Sequence, residues 1–452
     1  MTRFDPSGPL RGALRPPSDK SISHRAALIA AMGEGETRIE GYLDAADTSS
    51  TLDAVERLGA GLGQVKTTVS VPRGHDLAAA QARLPGPGVS IRGVGLRGPR
   101  PAAIDVGNAG TLLRLLPGWL AGQGGGHWTL DGDDSIRQRP VDRIADPLRR
   151  MGAGLSAREG RLPPLEIDGS PLHGIEYEMP IASAQVKSCL LFAGLLAEGE
   201  TRIVEPLPTR DHTERMLRAA GATVEREAGD DLVGTVVVRP VERLTPERFI
   251  VPADISSAAF FVVAALLVAD SEVTLEGVGV NPTRTGLITI LERMGAEIEQ
   301  VPRDSEGGEP IADLRVRPAE LRAVEVGGAE VPLAIDELPL VALAACFAEG
   351  MTTIRDAAEL RRKESDRIAT VTAALIALGG RVEASEGGMV IEGTGGLRGG
   401  VIDSHGDHRI AMLGAVAGLA SREGVEVRRM DAAAVSYPGF ERDLGSLLGA
   451  GA

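Results

Sequence analysis

The chain predicts an α/β (α+β) fold of two similar domains, each assembled from three repeated βα-rich units. Three observations carry this expectation. One phrase recurs six times along the 452 residues: an apolar helix, a turn of Gly, Glu or Asp, a short strand, a polar loop, and a second helix ending in glycine. The turn residues Gly35, Gly126, Gly199, Asp270, Gly350 and Gly424 lie roughly 70 to 90 residues apart, too far for a solenoid unit. The first helix of each phrase is apolar nearly all round, as a buried helix is. The length suits two or three domains with full cores.

The six phrases run in order. EGETRIEG (Glu34 to Gly41) precedes STLDAVERLGAG, and GGHWTLDG precedes VDRIADPLRRMGAG. EGETRIVE is followed by HTERMLRAAGA, and DSEVTLEG by TGLITILERMGA. EGMTTIRD leads to ESDRIATVTAALIALGG, and EGVEVRRM to FERDLGSLLGAG. The first helices begin at SDKSISHR, GNAGTLLR, ASAQVKS, ADISSAAF, AIDELPL and GDHRIAM, each with a polar cap-like residue before an apolar run. Polar chemistry therefore gathers at their N-termini, where free N–H groups and the helix dipole favour anions. If three such helices per domain point the same way, each domain offers a positive face, and two facing domains make an anion-binding cleft. Simple N-capping explains any one of these starts alone. Ser21 with Arg25, and Gly110 with Arg114, share a helix face at i,i+4.

Composition narrows the function. Net charge is −15, a quarter of the residues are charged and mean hydropathy is near zero, so nucleic acid is not the expected partner. An anionic substrate needs a local basic pocket. The beginning MTRFDPSGPLRG lacks a secretory apolar core, and the apolar run Ala258 to Ala269 is too short to span a bilayer. Cys189 and Cys346 sit in apolar runs and read as buried thiols in a reducing, cytoplasmic setting. No Cys/His metal spacing appears. Lysine occurs only at Lys20, Lys66, Lys187 and Lys363 in a chain whose usual cation is arginine. An ammonium is compact and can give up its proton; a guanidinium cannot. Lys66 reads as a solvated loop residue. Lys187, at a helix start, is a further possible cleft residue.

Taken together, DKSISHR, GNAGTLLR, RQRP, SAQVKS, TRDHTERM, NPTRTG, IDELP, RRKESDR and GDHRIAM resemble the 5-enolpyruvylshikimate-3-phosphate synthases of the enolpyruvyl transferase family. The pieces occur in the family's order over most of the chain; the ordered set is specific although no single piece is. The resemblance implies two domains of three βαβαββ repeats with parallel buried helices, an inside-out α/β barrel. It also implies two crossings between domains, giving one domain over residues 21–249 and another over 1–20 plus 250–452, with the active site in the interdomain cleft. The implied reaction transfers the enolpyruvyl group of phosphoenolpyruvate to the 5-hydroxyl of shikimate 3-phosphate, releasing phosphate. It needs neither metal nor cofactor. A monomer is expected, with closure of the domains on substrate.

Carried over by residue, the resemblance puts Lys20, Ser21 and Arg25 on shikimate 3-phosphate, Lys20 also reaching phosphoenolpyruvate. Asn108, Gly110 and Thr111 would border phosphoenolpyruvate, with Arg139 clamping it. Ser183, Ala184 and Gln185 would hold the phosphate of shikimate 3-phosphate and the phosphoenolpyruvate side, and Arg210 would add a contact. Asp336 matches a candidate general base and Glu364 a proton donor to the methylene. Lys363, Arg367 and Arg409 match the remaining substrate contacts. Lys20, Asp336 and Glu364 are the catalytic candidates, their proton steps unassigned. The residues alone leave alternatives open: RRKESDR also fits a surface ion-pair face, Asp336 also fits an N-cap, and His408 reads as structural.

One departure stands out. Many relatives carry lysine shortly before the SYPGF motif, where this chain has Val435. Gly110 keeps the small residue that leaves room for glyphosate, while SAQVKS and TRDHT look like the tolerant branch. Among rivals, the transferase acting on UDP-N-acetylglucosamine would carry Lys-Asn at Lys20-Ser21 and a cysteine in the DGDDSIRQRP region. An RNA 3′-phosphate cyclase would need a histidine nucleophile and a basic surface. A non-catalytic scaffold gives no reason for Lys20 and Lys363. A P-loop ATPase lacks its glycine run.

Overall fold

The structure is a computed structural model that describes residues 1–65, 88–228, 234–303, 305 and 307–449; Lys66 lies outside the described residues. These residues form two compact units. The first comprises Ser18–Pro252 with a short stretch ending at Glu309, and the second comprises Met1–Pro17, Ala253–Arg303 and the chain from Pro310 onward. The divisions fall after Pro17 and Pro252, within three residues of the expected bounds at 20 and 249. Asp19 caps the helix that Lys20 opens, so Ser18 to Lys20 go with that helix. The stretch ending at Glu309 joins the first unit through a 2.8 Å contact between Glu309 Oε1 and the buried His212 Nδ1.

The first unit holds helices α1 (Lys20–Met32), α2 (Ala46–Arg57), α3 (Gly110–Ala121), α4 (Asp142–Arg150), α5 (Ala184–Gly194) and α6 (His212–Ala219). Its sheets share one plan. Strand Ala103–Asp105 runs parallel to His127–Asp131, which pairs antiparallel with Leu162–Asp168, and that in turn with Gly154–Arg158. Strands Glu176–Glu178, Thr201–Glu205, Gly234–Val238 and Val224–Ala228 repeat the order. The remaining sheet takes its parallel strand from far along the chain, with Phe249 in register with Ile39.

The second unit holds α7 (Ile255–Leu267), α8 (Gly286–Arg293), α9 (Leu338–Ala345), α10 (Arg367–Ala377), α11 (His408–Ala420) and α12 (Phe440–Gly449). Here too one sheet borrows a strand: Arg11–Leu14 lies parallel to Glu272–Leu275. Thr2–Phe4 pairs antiparallel with Val425–Arg428. The N-terminal segment thus completes two sheets of the second unit, which is why residues 1–17 belong with the C-terminal half.

The first helix of each repeat is buried because its sequence has no polar face. In α7 every residue from Ile255 to Leu266 is buried, and in α9 every residue is. The second helices differ: α4 buries only Ile144, Ala145, Pro147 and Leu148, one stripe of an amphipathic helix. Helices α3 and α5 approach backbone to backbone. A Cβ on Gly118 would sit 2.0 Å from the Cys189 carbonyl oxygen, so only glycine permits this approach. Contacts step along both helices together, from Thr111–Gln185 to Gly118–Cys189 to Gly122–Leu196, so the two run parallel with their starts side by side. SYPGF is a packing motif: Tyr437 and Phe440 lie against Phe261 with ring centroids 5.8 and 5.6 Å away. Among the described residues no helix is long and apolar enough to cross a membrane. Cys189 and Cys346 are buried free thiols.

Candidate functional site: two clusters at buried helix starts

In the first unit the candidates gather where α1, α3 and α5 begin. Asp19 fixes the start of α1 by accepting from the Ile22 backbone N–H at 2.9 Å. Lys20, half exposed, then points its ammonium to Asp47 Oδ2 at 3.0 Å, in the first turn of α2. One turn on, Arg25 is buried. Its Nε donates to Thr213 Oγ1 at 2.7 Å, its Nη2 to Ser188 Oγ at 2.9 Å and its Nη1 to the Ser21 carbonyl at 3.0 Å. Burial pushes the Arg25 guanidinium down to about 10, and nearby Arg210 adds to this, against the pull of Asp19 and Glu214. It stays charged at neutral pH.

At the α3 start, Asn108 is held between opposite charges. Its side-chain oxygen accepts from Arg139 Nη2 at 2.7 Å and its amide donates to Asp133 at 2.7 Å. Gly110 leaves its helix start open to guanidinium groups: an added Cβ would lie 2.8 Å from Arg139 Nη1 and 3.0 Å from Arg114 Nη1. Gln185 Nε2 donates to Thr111 Oγ1 at 3.3 Å, joining the α5 and α3 starts. Ser183 is the N-cap of α5, accepting from Val186 N–H at 3.4 Å, and Ala184 begins that helix. Two arginines and a glycine thus meet beside bare helix amides, a setting suited to phosphate or carboxylate.

Lys187 takes no part in this surface. It is fully buried, with its ammonium 2.9 Å from Glu205 and 2.6 Å from Glu214.

In the second unit the candidates meet around one carboxylate. Asp336 lies 3.3 Å from Lys363 Nζ, 3.4 Å from Arg367 Nη1 and 4.0 Å from Arg409 Nη2. Glu364, half exposed, accepts from Arg367 Nη2 at 2.5 Å. RRKESDR is not one helical face. Residues Ala358–Arg362 form a 3-10 turn and α10 begins only at Arg367, capped by Asp366. The 3-10 turn and the Asp366 cap bring Lys363, Glu364 and Arg367 together. Asp336 precedes Glu337, the cap residue of α9.

Sequence reasoning missed the carboxylates that hold this cluster. Asp407, wholly buried, accepts from Arg367 Nε at 2.9 Å and from Ser365 Oγ at 2.9 Å. It also caps α11 by accepting from the Arg409 N–H at 2.9 Å. Burial works to raise the Asp407 carboxyl, but Arg367 and these bonds outweigh it and hold it below the usual range. Glu337 accepts from Ser256 Oγ at the α7 start and from Arg409 Nη1 at 3.3 Å. The starts of α7, α9 and α11 are thereby tied together. The available signals were an aspartate one residue before an apolar helix and a second acid beside Asp336. Partial burial lowers the Arg409 pKa, yet Asp336 and Glu337 more than compensate and raise it. His408 is pushed down to about 4 by burial and by Arg409, so it is neutral at pH 7. Val435 lies exposed in the 3-10 turn Met430–Val435.

Comparison with known proteins agrees across the whole chain. The family described as EPSP synthase (3-phosphoshikimate 1-carboxyvinyltransferase) matches residues 4–444. A 3-phosphoshikimate 1-carboxyvinyltransferase of Synechococcus sp. (strain RCC307) is 46% identical over 443 residues, covering 97% of each chain. One of Geobacillus kaustophilus (strain HTA426) is 48% identical over 442 residues, covering 97% of this chain and 98% of its own. Among solved structures, EPSP synthase from Acinetobacter baumannii superposes with a TM-score of 0.88 at 40% identity, covering 98% of this chain and 97% of its own. The enolpyruvyl transferase NikO from Streptomyces tendae, at 19% identity, shares the fold with a TM-score of 0.71, covering 98% of this chain and 96% of its own.

Proposed function

The chain belongs to the EPSP synthase family, and on that premise we propose that its two clusters serve one pair of anionic substrates. The enzyme transfers the enolpyruvyl group of phosphoenolpyruvate to the 5-hydroxyl of shikimate 3-phosphate, giving 5-enolpyruvylshikimate 3-phosphate and phosphate. It is a transferase of aromatic biosynthesis in the shikimate pathway. The reaction adds the hydroxyl to the enol carbon, passes through a tetrahedral intermediate, and eliminates phosphate.

In this reading Lys20, Ser21, Arg25, Ser183, Ala184, Gln185 and Arg210 hold shikimate 3-phosphate. Asn108, Gly110, Thr111 and Arg139 border phosphoenolpyruvate, and Lys20 touches both. Lys363, Arg367 and Arg409 complete the cationic set. The observation that carries the proposal is Asp336 amid three cations at 3.3 to 4.0 Å. A bound phosphate and carboxylate share these cations with Asp336, and Asp336 accepts the proton of the 5-hydroxyl as that oxygen adds to the enol carbon. Glu364 delivers the proton to the methylene carbon, and elimination reverses both movements. The Lys20 ammonium offsets the repulsion of two neighbouring anions and can exchange a proton where a guanidinium could not. We place the reaction in the cytoplasm, in a monomer; the buried free thiols Cys189 and Cys346 suit a reducing compartment.

A coupled phosphate-release assay tests the function. Shikimate 3-phosphate with phosphoenolpyruvate should release phosphate without added metal, and UDP-N-acetylglucosamine in its place should release none. Release with the nucleotide sugar alone would reverse the assignment.

A further inference from the structure

Arg25 has five N–H groups, and three are used inside the first unit, on Thr213, Ser188 and the Ser21 carbonyl. One N–H on each terminal nitrogen has no partner among the described residues. The two hydroxyls are also ordered between themselves. Ser188 Oγ donates to the Ala184 carbonyl at 2.6 Å, so Thr213 Oγ1, 2.7 Å away, must donate to Ser188. Each oxygen then turns a lone pair to the guanidinium, and no other arrangement of the two protons satisfies every contact.

The pair is braced from behind. Ser188 follows Lys187 on α5, and Thr213 precedes Glu214 on α6, so the Lys187–Glu214 ion pair forms a second rung between the same two helices. Glu205 lies on the far side of Lys187 at 2.9 Å and pairs with Arg226 at 3.0 Å. Charges alternate from Arg226 through Glu205, Lys187 and Glu214 toward Arg25.

We propose that Thr213 and Ser188 are positioning residues for Arg25, orienting its two free N–H groups toward a phosphate or hydroxyl of shikimate 3-phosphate. Neither touches substrate. The inference rests on the reading of Arg25 as a contact to that substrate.

Thr213→Val keeps the side-chain shape and removes the acceptor of a buried Nε–H. Titration calorimetry with shikimate 3-phosphate should show binding weakened about tenfold, the scale of one lost hydrogen bond to a charged group. Maximal turnover at saturating substrate should stay within about twofold, since the lost interaction is made equally before and during chemistry. Thr213→Ser should restore binding. Ser188→Ala removes the other acceptor and gives an independent measurement should Thr213→Val fold poorly. In an Arg25→Ala background, Thr213→Val should add less than about twofold, because the two act through one group. Normal binding by folded Thr213→Val and Ser188→Ala, with binding lost in Arg25→Ala, overturns the positioning role and leaves Arg25 in place. Normal binding by Arg25→Ala removes both readings.

Discussion

Lys20 and Glu364 show why a side chain's chemistry counts for more than its charge. Lys20 holds Asp47 at 3.0 Å with a half-exposed ammonium, a grip that solvent screens and an incoming anion can loosen. Glu364 is likewise half exposed and accepts from Arg367 Nη2. In the proposed reading both exchange a proton with a bound ligand. Lys20→Ala and Glu364→Ala should each lower kcat/KM by roughly two orders of magnitude or more, the usual scale for positioned acid–base groups. Lys20→Arg should keep substrate affinity better than turnover. Steady-state kinetics on the folded variants checks this, and near-normal turnover in either alanine variant removes that residue from the mechanism. Lys187 was equally visible as a rare lysine, yet its two glutamates come from distant segments, so sequence alone could not separate it from Lys20.

In the proposed reading the helix start is the element that converts a buried apolar segment into a binding surface. Asp19, Ser183, Asp254, Asp366 and Asp407 cap α1, α5, α7, α10 and α11 with a side-chain oxygen. The α3 start has no such cap; Ala109 precedes Gly110, and the open side of Gly110 faces Arg139 and Arg114 instead. Gly110→Ala would put a methyl where the Arg139 tip now lies, and that flexible tip must move. The Michaelis constant for phosphoenolpyruvate should rise about tenfold while that for shikimate 3-phosphate stays within about twofold, as displacement of one positioning group predicts. An equal rise in both constants would mean that the substitution disturbs the start as a whole.

Each unit is held by polar groups deep among apolar helices, and this couples its stability to pH. His24 on α1 is wholly buried with Nδ1 2.6 Å from Thr51 Oγ1, and burial pushes it from 6.5 down to about 3. Unfolding exposes an ordinary imidazole, so the unfolded chain binds the proton first. The contribution is complete above about pH 6.5 and is lost progressively as pH falls toward 3. From pH 7 to 5 this one group should cost the first unit roughly 2 kcal/mol. His24→Gln should flatten the fall by that amount, measured as urea midpoints at the two pH values; an unchanged slope would show that His24 titrates alike in the folded and unfolded chain.

Sixfold recurrence, all-apolar first helices and polar helix starts were legible in the residues, because burial forces a local pattern that any window displays. Ordered motifs supplied the family and the candidate residues. The cradle around Arg367 was not legible: Asp336, Glu364 and Asp407 reach it from three separate segments. RRKESDR carries no local mark of where its helix begins, and the Asp366 cap starts α10 only at Arg367. The borrowed strands Arg11–Leu14 and Arg248–Ile250 also escape any local rule, because a parallel strand needs a partner and carries no mark of which one. Residue type alone settles which segments are buried and which ends are polar, since solvent sorts residues by type. Which polar ends meet, which acid shares which cation, and which lysine is left accessible follow from the folded arrangement, since those outcomes depend on distances between residues far apart in the chain.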